Sequence, residues 1–272
     1  MMPRHIKTVT IAVFLMLISA VSSKAVIAVQ NVFANANSNP TPFTQSIVGT
    51  PTGSKSDFEI ITCGTVSRGG NSFLAPGPDI FDPLDLGSCG NGSGCIQGIW
   101  SRFVDTPGAS ENFCNWTDQV NVFGAGSIRW SGVDRENPVT AIACNTGESE
   151  FATAPSVDAE EGSYVVRIYT LAPVLDLLVG GASFISGEFT AIAVFQGQEL
   201  VVHGRTDPAE GAGPTGTADY SIERFSSWRA CTIALRPEAR NIPTLSEWGL
   251  GIFVALFGIA AVWALRRRSI RA

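Results

Sequence analysis

A chain of 272 residues with only 15% charged side chains and 28 glycines is rich in residues that suit strands and turns and poor in those that build helices. Its net charge of −6 conceals a division: seven of the 18 basic residues lie at the two ends, and segment 26–247 holds eleven of them against all 24 acidic residues, a net of −13. A body that acidic repels phosphate backbones, which argues against a nucleic-acid partner, and fits solubility outside the cell.

Residues 1–25 read as a signal peptide. Arg4 and Lys7 form a basic start, Thr8 to Ser23 is uncharged, and Ser23-Lys24-Ala25 places small residues at −3 and −1 of a cleavage site after Ala25. Such a segment is delivered by the Sec translocon and removed by signal peptidase.

Between Val26 and Pro237 the dominant pattern is alternation. Early strand candidates are 27–33, 58–66, 98–104, 118–123, 127–131 and 139–144. Tyr164 to Leu171 alternates with a clear period of two. Phe189 to Phe195 and Glu199 to His203 follow as a hairpin across Gln-Gly-Gln, and Trp228 to Leu235 is a last strand closed by Arg236-Pro237. About ten short strands punctuated by Gly, Pro and Asn predict an all-β body, a single antiparallel sandwich or barrel over 26–237. In the last strand both faces look buried, so it should be central.

Six cysteines lie in the body: Cys63, Cys89, Cys95, Cys114, Cys144 and Cys231. An even number in an exported chain points to disulfides, and the absence of any CxxC pair argues against a metal site. Cys89 and Cys95 flank the flexible run Gly90-Asn-Gly-Ser-Gly94 and should pair; of the remaining bridges, Cys63 with Cys231 is the expected one, joining early and final strands.

Chemistry-bearing motifs are few. The mature body has one histidine, His203, on an expected strand, with no GxSxG or HExxH motif around it, so no catalytic residue, metal or cofactor is assigned. Glu148 and Glu150 stand on alternate positions, the spacing of a carboxylate pair, yet Asn145-Thr-Gly and Ala-Pro around them read as a polar loop. Asp79, Asp82 and Asp85 fit neither an EF-hand nor a related calcium repeat and read as a solvated loop.

The C-terminus is the most informative stretch. A linker from 238 leads into Ile242-Pro243-Thr244-Leu245, then Trp248-Gly249 and an uncharged run over 248–265. Eighteen helical residues rise about 27 Å, enough to cross a hydrocarbon core. Arg266, Arg267 and Arg268 with Arg271 then form a basic cluster that stops transfer and fixes the tail inside.

Motif, span and basic cluster in this order resemble the IPTL-CTERM sorting signal, matched here at Ile242, Pro243, Thr244, Leu245, Trp248 and Gly249. The resemblance implies an exosortase-type membrane peptidase as partner in a Gram-negative cell, an inner-membrane-anchored precursor with a periplasmic body, and release to the surface or extracellular matrix, with exopolysaccharide as a further partner. Pro243 keeps the preceding backbone extended, which suits a protease cleft.

Arg129-Trp-Ser-Gly-Val-Asp134 with Asn137-Pro138, Thr153-Ala-Pro-Ser-Val157, Gly216-Thr-Ala-Asp-Tyr220 and Ser227-Trp-Arg-Ala-Cys231 together resemble a jelly-roll-like β-sandwich module of exported bacterial and phage-associated proteins. That resemblance implies a non-enzymatic structural or adhesive body. The alternative is a carbohydrate-active jelly-roll enzyme or a polysaccharide-binding module, with Glu148 and Glu150 as the enzyme's candidates.

Overall fold

The computed structural model describes residues 26–38, 46–48, 56–66, 74–76, 82–90, 94–104, 111–116, 122–173, 181–185, 187–195, 198–209, 211–239, 252 and 256–260. Val26–Glu238 forms one compact unit, the body, and the expected signal peptide lies outside the described residues.

The first half of the body supplies β1 (Ala28–Ser38), β2 (Ser46–Val48), β3 (Phe58–Val66), β4 (Leu74–Pro76), β5 (Asp82–Ser88), β6 (Cys95–Phe103), β7 (Glu111–Trp116) and β8 (Val122–Ser131). The second half supplies β9 (Val139–Ala154), β10 (Asp158–Ala159), β11 (Tyr164–Pro173), β12 (Gly181–Ile185), β13 (Glu188–Phe195), β14 (Gln198–Pro208), β15 (Gly213–Pro214) and β16 (Ala218–Leu235). Every pairing is antiparallel, and the all-β expectation holds.

Two large sheets dominate, a five-stranded one ordered β1-β8-β3-β6-β5 and a six-stranded one ordered β12-β13-β14-β11-β16-β9. Alternation decides their faces. Phe58, Ile60, Ile99, Ile128 and Trp130 of the first sheet meet Val166, Ile168, Val202, Ile233 and Leu235 of the second in one buried core. Glycines let the layers approach closely: a Cβ at Gly126 would lie 2.0 Å from the Phe189 ring, and one at Gly64 would lie 2.7 Å from Val202.

The partition departs from a jelly roll. Successive strands of that fold pass between its two sheets, whereas here the five-stranded sheet is drawn entirely from residues before 132 and the six-stranded one from residues after 138. Short connections between sequence neighbours favour this segregation.

The outer faces are buried as well. On the five-stranded sheet Ile61, Trp100, Phe123 and Ala125 pack around Cys63 and Cys114, the latter from β7 in the small sheet β2-β7-β4. Glu59 lies on this same face, fully buried, accepting bonds from Arg102 Nε at 3.0 Å and Arg129 Nη2 at 3.3 Å. The six-stranded sheet covers itself. Its β9–β16 ladder is broken between Ser221 and Ser226, and beyond the break Phe151–Ala154 and Ala218–Ser221 fold back as a ribbon. Tyr169 Oη donates to the Ala218 carbonyl at 3.1 Å, and Ala152 and Ala154 close over Tyr169, Leu171, Val201 and Trp228.

β16 is central, between β11 and β9, as expected from its two buried faces. β3 occupies the expected 58–66, and the β13–β14 hairpin pairs Phe195 with Gln198. The strand expected at 127–131 starts at Val122 as β8 and takes in the end of the one expected at 118–123, whose residues 118–121 lie outside the described residues, and β9 runs ten residues past the expected end at 144.

Candidate functional site

Three disulfides join all six cysteines: Cys63–Cys114, Cys89–Cys95 and Cys144–Cys231. The small ring is as expected, and Cys63 with Cys231 is corrected. Parity explains the error: Cys63 points to the outer face of the five-stranded sheet, while Cys231 points into the core between the large sheets. Cys231 stands directly opposite Cys144 on the neighbouring strand, which β-register fixes and sequence separation does not.

Asp85, Cys144 and Cys231 place ligand-type atoms close together, but bridged sulfurs offer no thiolate. Asp85 is instead held by Arg229, whose Nε and Nη2 reach its carboxylate at 3.0 and 2.7 Å, clamping β5 to β16. Asp82 is exposed on β5, and Asp79 lies outside the described residues. The segment 82–88 is therefore a strand rather than a loop.

Glu148 and Glu150 are also on a strand rather than in a loop. Both project into solvent from β9. Neither is among the residues that line the cavity beside β15.

His203 is buried on the outer face of β14, beneath the ribbon. Its ring stacks on Tyr220 at 4.1 Å, Tyr169 lies 5.8 Å away, and Nδ1 is 3.0 Å from Thr190 Oγ1. Burial pushes its pKa down to about 4, with the Arg205 charge adding to the effect. The same burial raises Tyr169 to about 12 and raises Tyr220. At pH 7 the imidazole is neutral, stacked on Tyr220 and flanked by Tyr169 on the neighbouring strand.

Beside this cluster, β15 and the loop that joins it to β14 border an open cavity of about 680 Å³. Val165, Arg167, Arg205 and Asp207 form its floor, and Pro214 and Thr215 its wall. Arg205 grips Asp207 through Nε at 2.8 Å and Nη2 at 3.2 Å. Arg167 Nη2 donates to the Thr215 carbonyl at 3.0 Å. Alternation along β11 and β14 puts these polar residues on one face, and the chain from Pro208 to Thr215 makes that face the floor of a cavity.

The sorting-tail residues Ile242, Pro243, Thr244, Leu245, Trp248, Gly249, Arg266, Arg267 and Arg268 lie outside the described residues. In the tail, Ile252 and 256–260 are helical, with Ile252, Leu256, Phe257 and Ile259 each at least 59% exposed. Among the described residues no helix is long and apolar enough to cross a membrane. Residues 242–268 match the family model described as the IPTL-CTERM motif, so the chain carries this motif. No curated protein and no solved structure matches the chain.

Proposed function

We propose that the chain is an exported cell-surface or extracellular-matrix protein whose tail is recognised and processed by an exosortase-type peptidase, and whose β-sandwich body acts as a non-enzymatic structural or adhesive module. The IPTL-CTERM motif at 242–268 carries this reading. A signal peptide over 1–25, a membrane helix over 248–265 and the basic cluster 266–271 complete the sorting arrangement, with the body periplasmic until it is released.

Two features of the body support the proposal. Three disulfides fit an oxidising compartment outside the cytoplasm. The two ends of the body also leave it side by side. Gly132, at φ +76°, sits so close to Val26 that a Cβ there would lie 2.7 Å from the Val26 carbonyl oxygen. The same glycine accepts a bond from the Glu238 amide at 2.8 Å, and Val133 bridges to Pro237. A sandwich whose entry and exit meet at one pole suits a tether on that pole, with the remaining surface turned away.

Mass spectrometry of the extracellular form from the native host tests the proposal. Peptides should end near Thr244, and recovery of peptides containing Arg266–Arg271 from that form would overturn processing.

A further inference from the structure

Among the described residues, the cavity beside β15 is lined by two guanidinium groups and one carboxylate. Of the two guanidinium groups that line it, Arg205 is neutralised by Asp207. Arg167 is half-buried and has no carboxylate partner among the described residues. Its Nη2 is satisfied by the Thr215 and Gly216 carbonyls, at 3.0 and 3.4 Å, which fixes the plane of the fork, and its buried Nε has no partner. A charge withdrawn from water without a counter-ion is costly, and a ligand that brings the anion removes the cost. Arg167 stands in a body of net charge −13 between 26 and 247, so it is a local exception and not part of a basic surface.

Size and lining narrow the ligand. About 680 Å³ falls within the range of ligand sites and is far more than one inorganic anion fills. Asp207 and the loop carbonyls accept hydrogen bonds from hydroxyl groups, while Val165 and Pro214 offer small apolar surfaces to ring carbons. One carboxylate for Arg167, several hydroxyls for the acceptors and a compact ring between them describe an acidic sugar.

We propose that this cavity binds the uronate unit of an acidic glycan, with the Arg167 guanidinium taking the sugar carboxylate and the Arg205–Asp207 pair taking ring hydroxyls. The proposal rests on reading the body as an adhesive module displayed outside the cell, and it supplies that module's ligand class.

Isothermal titration of residues 26–241, which contain the whole compact unit, tests it. The probes are trigalacturonate, its methyl ester, neutral maltotriose and inorganic phosphate. Saturable binding is expected for trigalacturonate and not for the other three. Arg167→Gln and Arg205→Ala should each weaken it at least tenfold. Arg205 is 58% exposed in its side chain, so its variant keeps the fold and decides the matter even where Arg167→Gln lowers stability. Absence of trigalacturonate binding overturns the proposal. So does equal binding of the ester or of maltotriose, an undiminished affinity in Arg205→Ala, or phosphate binding as tightly, which marks a simple anion site. None of these outcomes touches the processing of the tail, which is read separately by mass spectrometry.

Discussion

At the scale of single residues, burial without charge sets the behaviour of the outer-face cluster. His203 titrates near 4 in the folded body against about 6.5 in an unfolded chain. The unfolded state therefore binds more protons between those values, and stability falls as pH drops through that window. A shift of this size corresponds to about 3 kcal/mol, fully present above pH 6.5 and lost by about pH 4. Denaturant titrations of residues 26–241 at pH 7 and pH 4.5, beside His203→Gln, give the check: the variant should lose the part of the acid slope that belongs to this group. An unchanged slope would mean that the imidazole is solvated. Glu59 is a second residue of this kind. Buried between Arg102 and Arg129, it holds two cations on the outer face of the five-stranded sheet. Glu59→Gln should cost about 3–5 kcal/mol, because it removes the buried carboxylate charge that both guanidinium groups share. A melting point within error of the wild type would show those arginines hydrated instead. Neither group is marked in the sequence, since a lone Glu or His on an alternating strand gives no sign of what lies across from it.

Elements were legible where one strand carries its own pattern. The period of two in Tyr164 to Leu171 and in Trp228 to Leu235 gave the correct faces, with Arg229, Cys231, Ile233 and Leu235 on one side of β16 and Trp228, Ala230, Thr232 and Ala234 on the other. Ile233 is fully buried in the core between the large sheets. Ile233→Ala should cost about 2–5 kcal/mol, a fall of roughly 5–15 °C in the melting point of residues 26–241. A midpoint that stays put would place β16 outside the core. What escaped the sequence was partnership. β9 looked like a strand to 144 followed by a polar loop, because Asn145-Thr-Gly-Glu148 carries turn formers; pairing with β16 overrides that local preference and carries the strand to Ala154. The disulfides follow the same rule. The adjacent pair Cys89–Cys95 was readable from its loop, and the two long bridges depend on register. A non-reducing peptide map of the secreted protein should return 63–114, 89–95 and 144–231. Loop entropy ranks their worth at roughly 4, 2 and 4–5 kcal/mol for closures of 51, 6 and 87 residues. Any mixed pairing would contradict the strand order.

Across the whole molecule, folding and destination belong to different segments. Every buried apolar residue of the described chain lies between Ile27 and Pro237, and the layers that cover both large sheets come from the body itself. The described apolar side chains of the tail, Ile252, Leu256, Phe257 and Ile259, are exposed. A helical stretch with exposed large apolar residues is out of place in water and at home in lipid. Stability should then be indifferent to the tail, and location should depend on it entirely. Deleting residues 242–272 in the native host is expected to leave the melting point of the purified body within about 1 °C of that of the processed protein, since none of the buried area that sets it has changed. The same deletion should send the body to the periplasm or the medium, where it no longer reaches the surface or matrix. Restoring the tail with Pro243→Ala separates the two steps of sorting under the proposed function: residues 248–271 should still hold the precursor in the membrane, while loss of the proline frees the residue before it from its bias to extended backbone. Accumulation of a full-length, membrane-bound form is the expected result, detected by a peptide containing Arg266–Arg271 in the membrane fraction. Normal release of the Pro243→Ala protein would show that the peptidase reads the helix and its basic end without the motif.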